Sequence, residues 1–156
     1  MEWSEVINDP TLQDLPFKIE LNKFGKILMS PASNSHGRTQ MKLGNNLSNK
    51  LPNGVVISEC SIQTSEGVKV ADVVWASDDF IDTYAYKTPY PKAPEICVEI
   101  VSPSNSKIEI AEKIELYLAK GATEVWIAYD NGEIDTFTHE GQIKQSLLAS
   151  NAQTIK

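Results

Sequence analysis

The stretch that decides the fold is EICVEIVSPS, residues 95–104, which carries a carboxylate, Glu99, in the middle of an apolar run. A short apolar run that ends in turn residues is typical of a strand in the core of a sheet. A carboxylate buried there without a partner is so costly that it takes up a proton instead. We therefore expect either that Glu99 lies on a hydrated face or that a positive group meets it.

The residues after this stretch predict a helix. SPSNS ends the strand, and Ser106 with Glu109 has the spacing of a helix-capping box. A helix is therefore predicted from about Lys107 to Lys120, with Gly121 at its C-terminal cap. Its predicted apolar stripe is Ile110, Ala111, Ile114, Tyr117 and Leu118.

Three strand-like segments follow that helix. TEVWIAYD (123–130) and EIDTFTHE (133–140) flank Asn131-Gly132, which is the strongest hairpin signal in the chain. QIKQSLLA (142–149) is a further predicted strand.

The residues before the stretch predict two hairpins and a helix. FKIEL (17–21) and KILMS (26–30) form the first hairpin, and residues 55–62 and 68–76 form the second. Between them a helix is predicted from about His36 to Lys50, with the inner stripe Met41, Leu43, Gly44 and Leu47. Residues 78–94 are predicted to be an irregular loop.

This order of elements predicts an α/β (α+β) fold, in which a mixed β-sheet core is flanked by helices and preceded by an N-terminal β-hairpin. A length of 156 residues with 41% hydrophobic content suits one domain over residues 1–156. The chain stops at Lys156 soon after a strand-like segment, so we expect that the domain lacks its C-terminal end.

Composition narrows the classes of partner. A net charge of −7 argues against strong nonspecific binding to nucleic acid, which depends on neutralising phosphates, but it is compatible with an acidic metal site. No apolar run is long enough to span a bilayer, and MEWSEVINDP lacks the layout of a signal peptide. We therefore expect a cytoplasmic protein without membrane contact. Cys60 and Cys97 lie in apolar segments and are expected to be buried free thiols.

A second acid, Asp72, interrupts the apolar strand VKVADVVW (68–75) in the same way as Glu99. If the two strands are neighbours, their carboxylates converge, either to share a proton for acid–base work or to hold a hard divalent cation. The alternative is structural: each acid lies at a strand end and is hydrogen-bonded to backbone or paired with a lysine.

Other charged residues are weaker candidates. Lys113 borders the buried stripe of the predicted helix and could reach Glu99, or it could snorkel and pair with Glu109 or Glu112. Glu20, in the first predicted strand, could join the acidic group, but it could equally well be an exposed acid of that strand. His36 could touch a phosphate or water but is interpreted as a surface residue, as is His139. The chain has no GxSxG, HExxH or phosphate-cradling glycine loop.

The ordered pattern resembles the PD-(D/E)XK restriction-endonuclease-like superfamily and, within it, the Uma-type endonuclease family. The resemblance rests on four segments: KIELNKFGKILMSPASNSHG (18–37), VKVADVVW (68–75), APEICVEIVSPSNS (93–106) and AEKIELYLAKGATEVWIAY (111–129). The last two are the most specific.

The resemblance implies a role for four residues. Asp72 matches the motif aspartate, Glu99 the second acidic metal ligand and Glu20 the N-terminal acid. Val101 occupies the usual place of the lysine, and Lys113 fits the place on the following helix to which the family moves it. Ala71 stands where a proline is expected.

The implied function is that of an endonuclease that hydrolyses DNA phosphodiester bonds with Mg²⁺ or Mn²⁺ held by Asp72 and Glu99. Lys113 would orient the attacking water or offset the charge that develops on the phosphate. A homodimer is expected by analogy with enzymes that cut both strands. One alternative is a catalytically inactive nuclease-fold module that binds nucleic acid or protein. A third reading, a small-molecule enzyme with an Asp/Glu acid–base pair, predicts a deep apolar pocket.

Overall fold

Strands and helices alternate along the chain in a computed structural model that describes residues 1–102 and 105–155. In chain order the elements are α1 (Trp3–Asn8), β1 (Phe17–Leu21), β2 (Ile27–Pro31), α2 (Asn34–Lys50), β3 (Gly54–Thr64), β4 (Gly67–Ser77), α3 (Asp78–Tyr84), β5 (Ile96–Ile100), α4 (Lys107–Ala119), β6 (Glu124–Ala128), β7 (Ile134–Thr138) and β8 (Gly141–Ile143). Two of the predicted turn residues, Pro103 and Ser104, lie outside the described residues.

The strands form two sheets. Six of them make a mixed sheet in the order β3-β4-β5-β6-β7-β8, and β1 and β2 make a separate antiparallel pair. Within the large sheet only β5 and β6 are parallel among the described strands. Parallel neighbours need a crossover connection, and α4 provides it. The predicted α/β class, with its mixed sheet, flanking helices and N-terminal hairpin, is confirmed.

Both faces of the large sheet are covered. Leu43 and Leu47 of α2 are fully buried in one cluster with Val98 of β5, whereas Cys97 belongs to the other cluster, together with Tyr117 of α4. Successive residues of a strand point to opposite faces, so α2 and α4 lie on opposite sides of the sheet. Full burial of each such leucine contributes roughly 1.5–3 kcal/mol.

A third cluster attaches the N-terminal hairpin to the large sheet. Leu21 of β1 packs against Val68 and Val70 in the first half of β4, and Trp3 and Val6 of α1 close the cluster. The hairpin therefore lies beside the segment of β4 that leads to Asp72.

Two segments differ from the sequence prediction. Residues 78–94 are not wholly irregular, because they begin with α3, in which Ser77 Oγ accepts the N–H of Phe80 and Phe80 is buried. The strand predicted over 142–149 ends at Ile143. The chain then turns because the buried carboxylate of Glu124 accepts the backbone N–H groups of Leu147 and Leu148.

The predicted helix stripes were wrong at two positions. Met41 is 66% exposed, because it lies about 200° around α2 from Leu43, the centre of the buried face. Ala111 of α4 is also exposed. The predicted cap of α4 is confirmed, since Ser106 Oγ accepts the N–H of Glu109.

Two further expectations can be compared with the structure. Cys60 and Cys97 are free and buried, as predicted. Among residues 1–102 and 105–155, no helix has the length and hydropathy needed to cross a membrane.

Candidate active site

The pairing of β4 with β5 brings the two strand acids together. Val73 pairs with Val98 in antiparallel register, so the next position sets Asp72 opposite Glu99. Opposed residues of antiparallel strands share one face of the sheet. Asp72 is 1% exposed and Glu99 is 4% exposed, so neither carboxylate lies on the hydrated face that one interpretation allowed.

The Glu99 carboxylate is held by three side chains. Tyr117 donates its hydroxyl to Oε1 at 2.7 Å, and Lys113 Nζ lies 3.4 Å from the same oxygen. Lys18 Nζ lies 3.0 Å from Oε2. Since Lys113 and Tyr117 are one turn apart on α4, the crossover helix delivers both groups to the end of β5.

The Asp72 carboxylate uses its two oxygens differently. Oδ2 accepts the backbone N–H of Ile100 at 2.8 Å, which anchors the carboxylate to the end of β5. Oδ1 lies 3.2 Å from Lys18 Nζ and 3.3 Å from His36 Nε2. His36 is in the first turn of α2, where Ser33 caps the helix.

Glu20 is the third acid of the group. It is buried on β1, where one oxygen accepts the N–H of Val70 at 2.7 Å and lies 3.0 Å from Lys113 Nζ. Lys113 therefore bridges Glu20 and Glu99, while Lys18 bridges Asp72 and Glu99. Two ammonium groups face three carboxylates.

Burial and these ion pairs act in opposite directions on the acids. Burial disfavours the ionised form of Asp72, but Lys18 and the hydrogen bond with His36 outweigh it and hold the pKa of this carboxyl well below its usual range. Burial also disfavours ionised Glu20, and Lys18 with Lys113 lowers its pKa. For Glu99 burial prevails over Lys113 and Lys18, so its pKa is raised.

The bases respond to the same carboxylates. Burial opposes the charge on Lys18, yet Glu99 and Asp72 raise its pKa well above the usual value. The pKa of His36 is raised by its hydrogen bond with Asp72, which exceeds the opposing effect of burial.

The group lies in a cleft with a volume of about 1220 Å³. Its walls come from the β1–β2 hairpin, the start of α2 and the start of α4. Lys18, Glu20, Asp72, Glu99 and Lys113 all line it. Apolar side chains, among them Phe17, Met29 and Ile110, share the lining with these charged groups, so the surface of the cleft is part charged and part apolar.

Asp72 and Glu99 form one pair that could hold a divalent cation. Oδ1 of Asp72 and Oε2 of Glu99 already face one positive group, the Lys18 ammonium, so these two oxygens converge on a single point. Carboxylate oxygens are the ligands that Mg²⁺ and Mn²⁺ prefer. The donor set therefore fits, provided that Lys18 moves aside.

The structure brings Asp72, Glu99, Lys113 and Glu20 together, and it adds three groups that sequence reasoning missed. The sequence pattern gives Lys18 no role, although it lies two residues before Glu20 and so shares its strand face. Tyr117 was assigned only to an apolar stripe. His36 was interpreted as a surface residue, but it contacts Asp72; His139 is exposed, as predicted.

Comparisons with known proteins identify the family of the chain and match its fold. A model of the Uma2 family, described as a putative restriction endonuclease, matches residues 10–155. A similar solved structure is a putative nuclease belonging to DUF820 from Anabaena variabilis, with 15% sequence identity and a TM-score of 0.75 over 97% of this chain and 92% of that chain. At that identity the likeness shows the fold alone. No curated protein has a matching sequence.

Proposed function

Because the chain belongs to the Uma2 family of putative restriction endonucleases, we propose that it is an endonuclease that hydrolyses DNA phosphodiester bonds with a divalent cation, Mg²⁺ or Mn²⁺. In this proposal Asp72 and Glu99 are the metal ligands. Lys113 and Glu20 complete the catalytic group.

One observation carries the proposal. Two buried carboxylates from neighbouring strands face one cation, the Lys18 ammonium, at 3.2 Å and 3.0 Å. Removing two carboxylates and an ammonium from water costs free energy. The arrangement is therefore weak evidence that these residues serve only to stabilise the fold. It also lies at a cleft, where carboxylates with pKa values shifted in opposite directions are typical of functional sites.

The residues of the chain have distinct tasks in the reaction. A bound divalent cation supplies polarisation of the phosphoryl group and a lowered pKa of water. Lys113 lies beside Glu99 and lines the cleft, so its ammonium offsets negative charge that develops on the phosphate. Glu20 holds Lys113 in place, and Tyr117 fixes the orientation of the Glu99 carboxylate.

Two finer features belong to the proposal. A single cluster of this kind cuts one strand at a time, so the proposal includes a homodimer, in which two clusters would act on the two strands. The free buried thiols of Cys60 and Cys97 suit a reducing compartment, which supports a cytoplasmic location.

The alternative is a nuclease fold that binds nucleic acid or protein without catalysis. The net charge of −7 favours it, and so does Lys18, which forms ion pairs with both proposed metal ligands. Calorimetric titration with Mg²⁺ and with Mn²⁺ separates the two. The endonuclease binds metal at millimolar concentration or below, and the inactive module does not.

The direct test is nicking of supercoiled plasmid in the presence of Mg²⁺ or Mn²⁺. The variants Asp72→Asn and Glu99→Gln preserve side-chain shape, and each is expected to abolish cleavage while circular dichroism shows an intact fold. The control Glu115→Gln, at an exposed position of α4, keeps full activity. Cleavage by both site variants at the wild-type rate would refute the proposal.

A further inference from the structure

A second set of ligand atoms lies beside Asp72, apart from the pair that Asp72 forms with Glu99. His36, Glu59 and Asp72 each offer one ligand atom, and these three atoms lie within 4.8 Å of one another. All three residues line the cleft. The set combines an imidazole nitrogen with two carboxylates, so it differs in kind from a cluster of acids.

Three separate elements deliver these ligands. His36 comes from the first turn of α2, Glu59 from β3 and Asp72 from β4. The pairs on either side in the β3–β4 register, Ser58 with Val73 and Cys60 with Ala71, place Glu59 opposite Asp72.

Gln40 links Glu59 to Asp72 through two hydrogen bonds. Its Nε2 atom donates to Oε1 of Glu59 at 2.8 Å and to the backbone carbonyl of Asp72 at 2.7 Å. Gln40 lies one helical turn after His36, so the same helix supplies one ligand and the group that orients another. Outer hydrogen bonds of this kind are a regular part of metal sites.

The Asp72 carboxylate contacts groups on two sides. His36 Nε2 and Lys18 Nζ both contact Oδ1 of Asp72, at 3.3 Å and 3.2 Å. A spacing of about 3.3 Å is also what separates two adjacent ligands of a metal that is bound at about 2.1 Å. Glu59 is exposed, and the hydrogen bond from Gln40 orients its carboxylate towards Asp72, where it can complete the third bond.

From this geometry we infer that His36, Glu59 and Asp72 form a second cation site, which binds a divalent transition metal such as Mn²⁺, Co²⁺ or Zn²⁺. The imidazole ligand favours transition metals such as Zn²⁺ over Mg²⁺, which prefers oxygen, and Mn²⁺, which also takes oxygen ligands, serves as the paramagnetic probe. Asp72 is common to both sites, and Glu99 belongs only to the first. The second site does not require that the protein cuts DNA.

Pulsed electron paramagnetic resonance of bound Mn²⁺ tests this assignment, because it detects the nitrogen of a coordinated imidazole. We expect nitrogen coupling in the wild-type protein and in Glu99→Gln, and its loss in His36→Ala. The matched control His139→Ala, which removes an exposed histidine, keeps the coupling.

The exposed position of Glu59 gives a variant that leaves the core untouched. Glu59→Gln is expected to weaken Mn²⁺ binding at this site by about ten-fold or more, the scale on which even outer-shell partners of a metal act. Glu140→Gln, another exposed acid, leaves it unchanged.

The inference is overturned if wild-type protein shows no nitrogen coupling, if coupling persists in His36→Ala, or if Glu59→Gln binds Mn²⁺ as tightly as the wild type. Coupling in a protein that fails to nick DNA would support the second site and refute the proposed function, so the two failures are distinguishable.

Discussion

Lys18 Nζ lies 3.0 Å from Oε2 of Glu99, on the carboxylate oxygen that Lys113 and Tyr117 leave free. The same ammonium reaches Asp72 at 3.2 Å. Opposed carboxylates on adjacent strands repel each other unless a cation lies between them. Lys18 provides that cation, and a divalent metal that bound Asp72 and Glu99 would compete with it for the same oxygens.

The first prediction therefore concerns Lys18→Met. Without metal this variant loses the ammonium that Asp72 and Glu99 share, although His36 and Lys113 remain beside them. Its free energy of unfolding is expected to fall by about 3–5 kcal/mol, as when one partner of a buried ion pair is removed. Mg²⁺ or Mn²⁺ should restore much of that loss, because metal no longer has to displace an ammonium. The measurement is thermal unfolding in EDTA and again with each metal, together with calorimetric titration.

A matched control is available for this experiment. Lys23 is also paired with a glutamate, Glu66, but its side chain is 49% exposed. Lys23→Met should change stability by less than about 1 kcal/mol, with or without metal, as for surface ion pairs in general. If metal stabilises Lys18→Met no more than it stabilises the wild type, Lys18 does not compete for the metal position.

The second prediction separates Lys113 from Lys18. Lys113→Met is expected to reduce the rate of plasmid nicking by about 10²–10³, the usual cost of losing one group that stabilises transition-state charge. Its affinity for Mn²⁺ should stay close to that of the wild type, since Asp72 and Glu99 are unchanged. Lys107→Met, at an exposed position of the same helix, serves as the control. Unimpaired nicking by Lys113→Met would remove this lysine from the reaction.

Much of this site could be predicted because it follows from local rules. Asp72 and Glu99 each interrupt an apolar strand, and the pleat then fixes which face each acid occupies. Lys113 borders a helical stripe, and a helix that crosses between parallel strands returns over the sheet. These rules need only the sequence near each residue, but the pairing of β4 with β5 that sets Asp72 opposite Glu99 is not among them.

The remainder of the site depends on contacts that no local pattern contains. Lys18 meets Asp72 and Glu99 across 54 and 81 positions of sequence, because the N-terminal hairpin packs beside β4 through the cluster around Leu21. Tyr117 was predicted to be buried, and it is, but its hydroxyl has a polar partner that only the packed structure identifies. Aromatic residues with a polar end often combine both roles.

The third prediction tests that hydroxyl. Tyr117→Phe removes the 2.7 Å hydrogen bond to Glu99 and keeps the ring in the core. Because a buried acceptor then loses a partner, the free energy of unfolding should fall by about 1–3 kcal/mol, measured by urea denaturation. Nicking should also slow, as the Glu99 carboxylate is less well oriented. The exposed Tyr86 provides the control Tyr86→Phe, and equal stability of the two variants would contradict the prediction.

The fourth prediction concerns Glu124, a fully buried carboxylate outside the cleft. It accepts hydrogen bonds from Trp126 Nε1 at 2.9 Å, from the Ser146 hydroxyl, and from the backbone N–H groups of Leu147 and Leu148 at 2.8 Å and 3.1 Å. These bonds tie the segment after β8 to β6. Each carboxylate oxygen of Glu124 already accepts two of them, so neither is available to a substrate. Asp72 and Glu99 also have a backbone or lysine partner, but they line the cleft, whereas Glu124 does not.

Glu124→Gln separates these two kinds of buried acid. Its amide places donor hydrogens against donors, so the free energy of unfolding should fall by about 3 kcal/mol or more. Because Glu124 is remote from the cleft, the folded variant should bind Mn²⁺ with wild-type affinity. Urea denaturation and calorimetric titration measure the two quantities, with the exposed Glu133→Gln as the control. A stable Glu124→Gln protein with weakened metal binding would place Glu124, and not only Asp72 and Glu99, in the functional site.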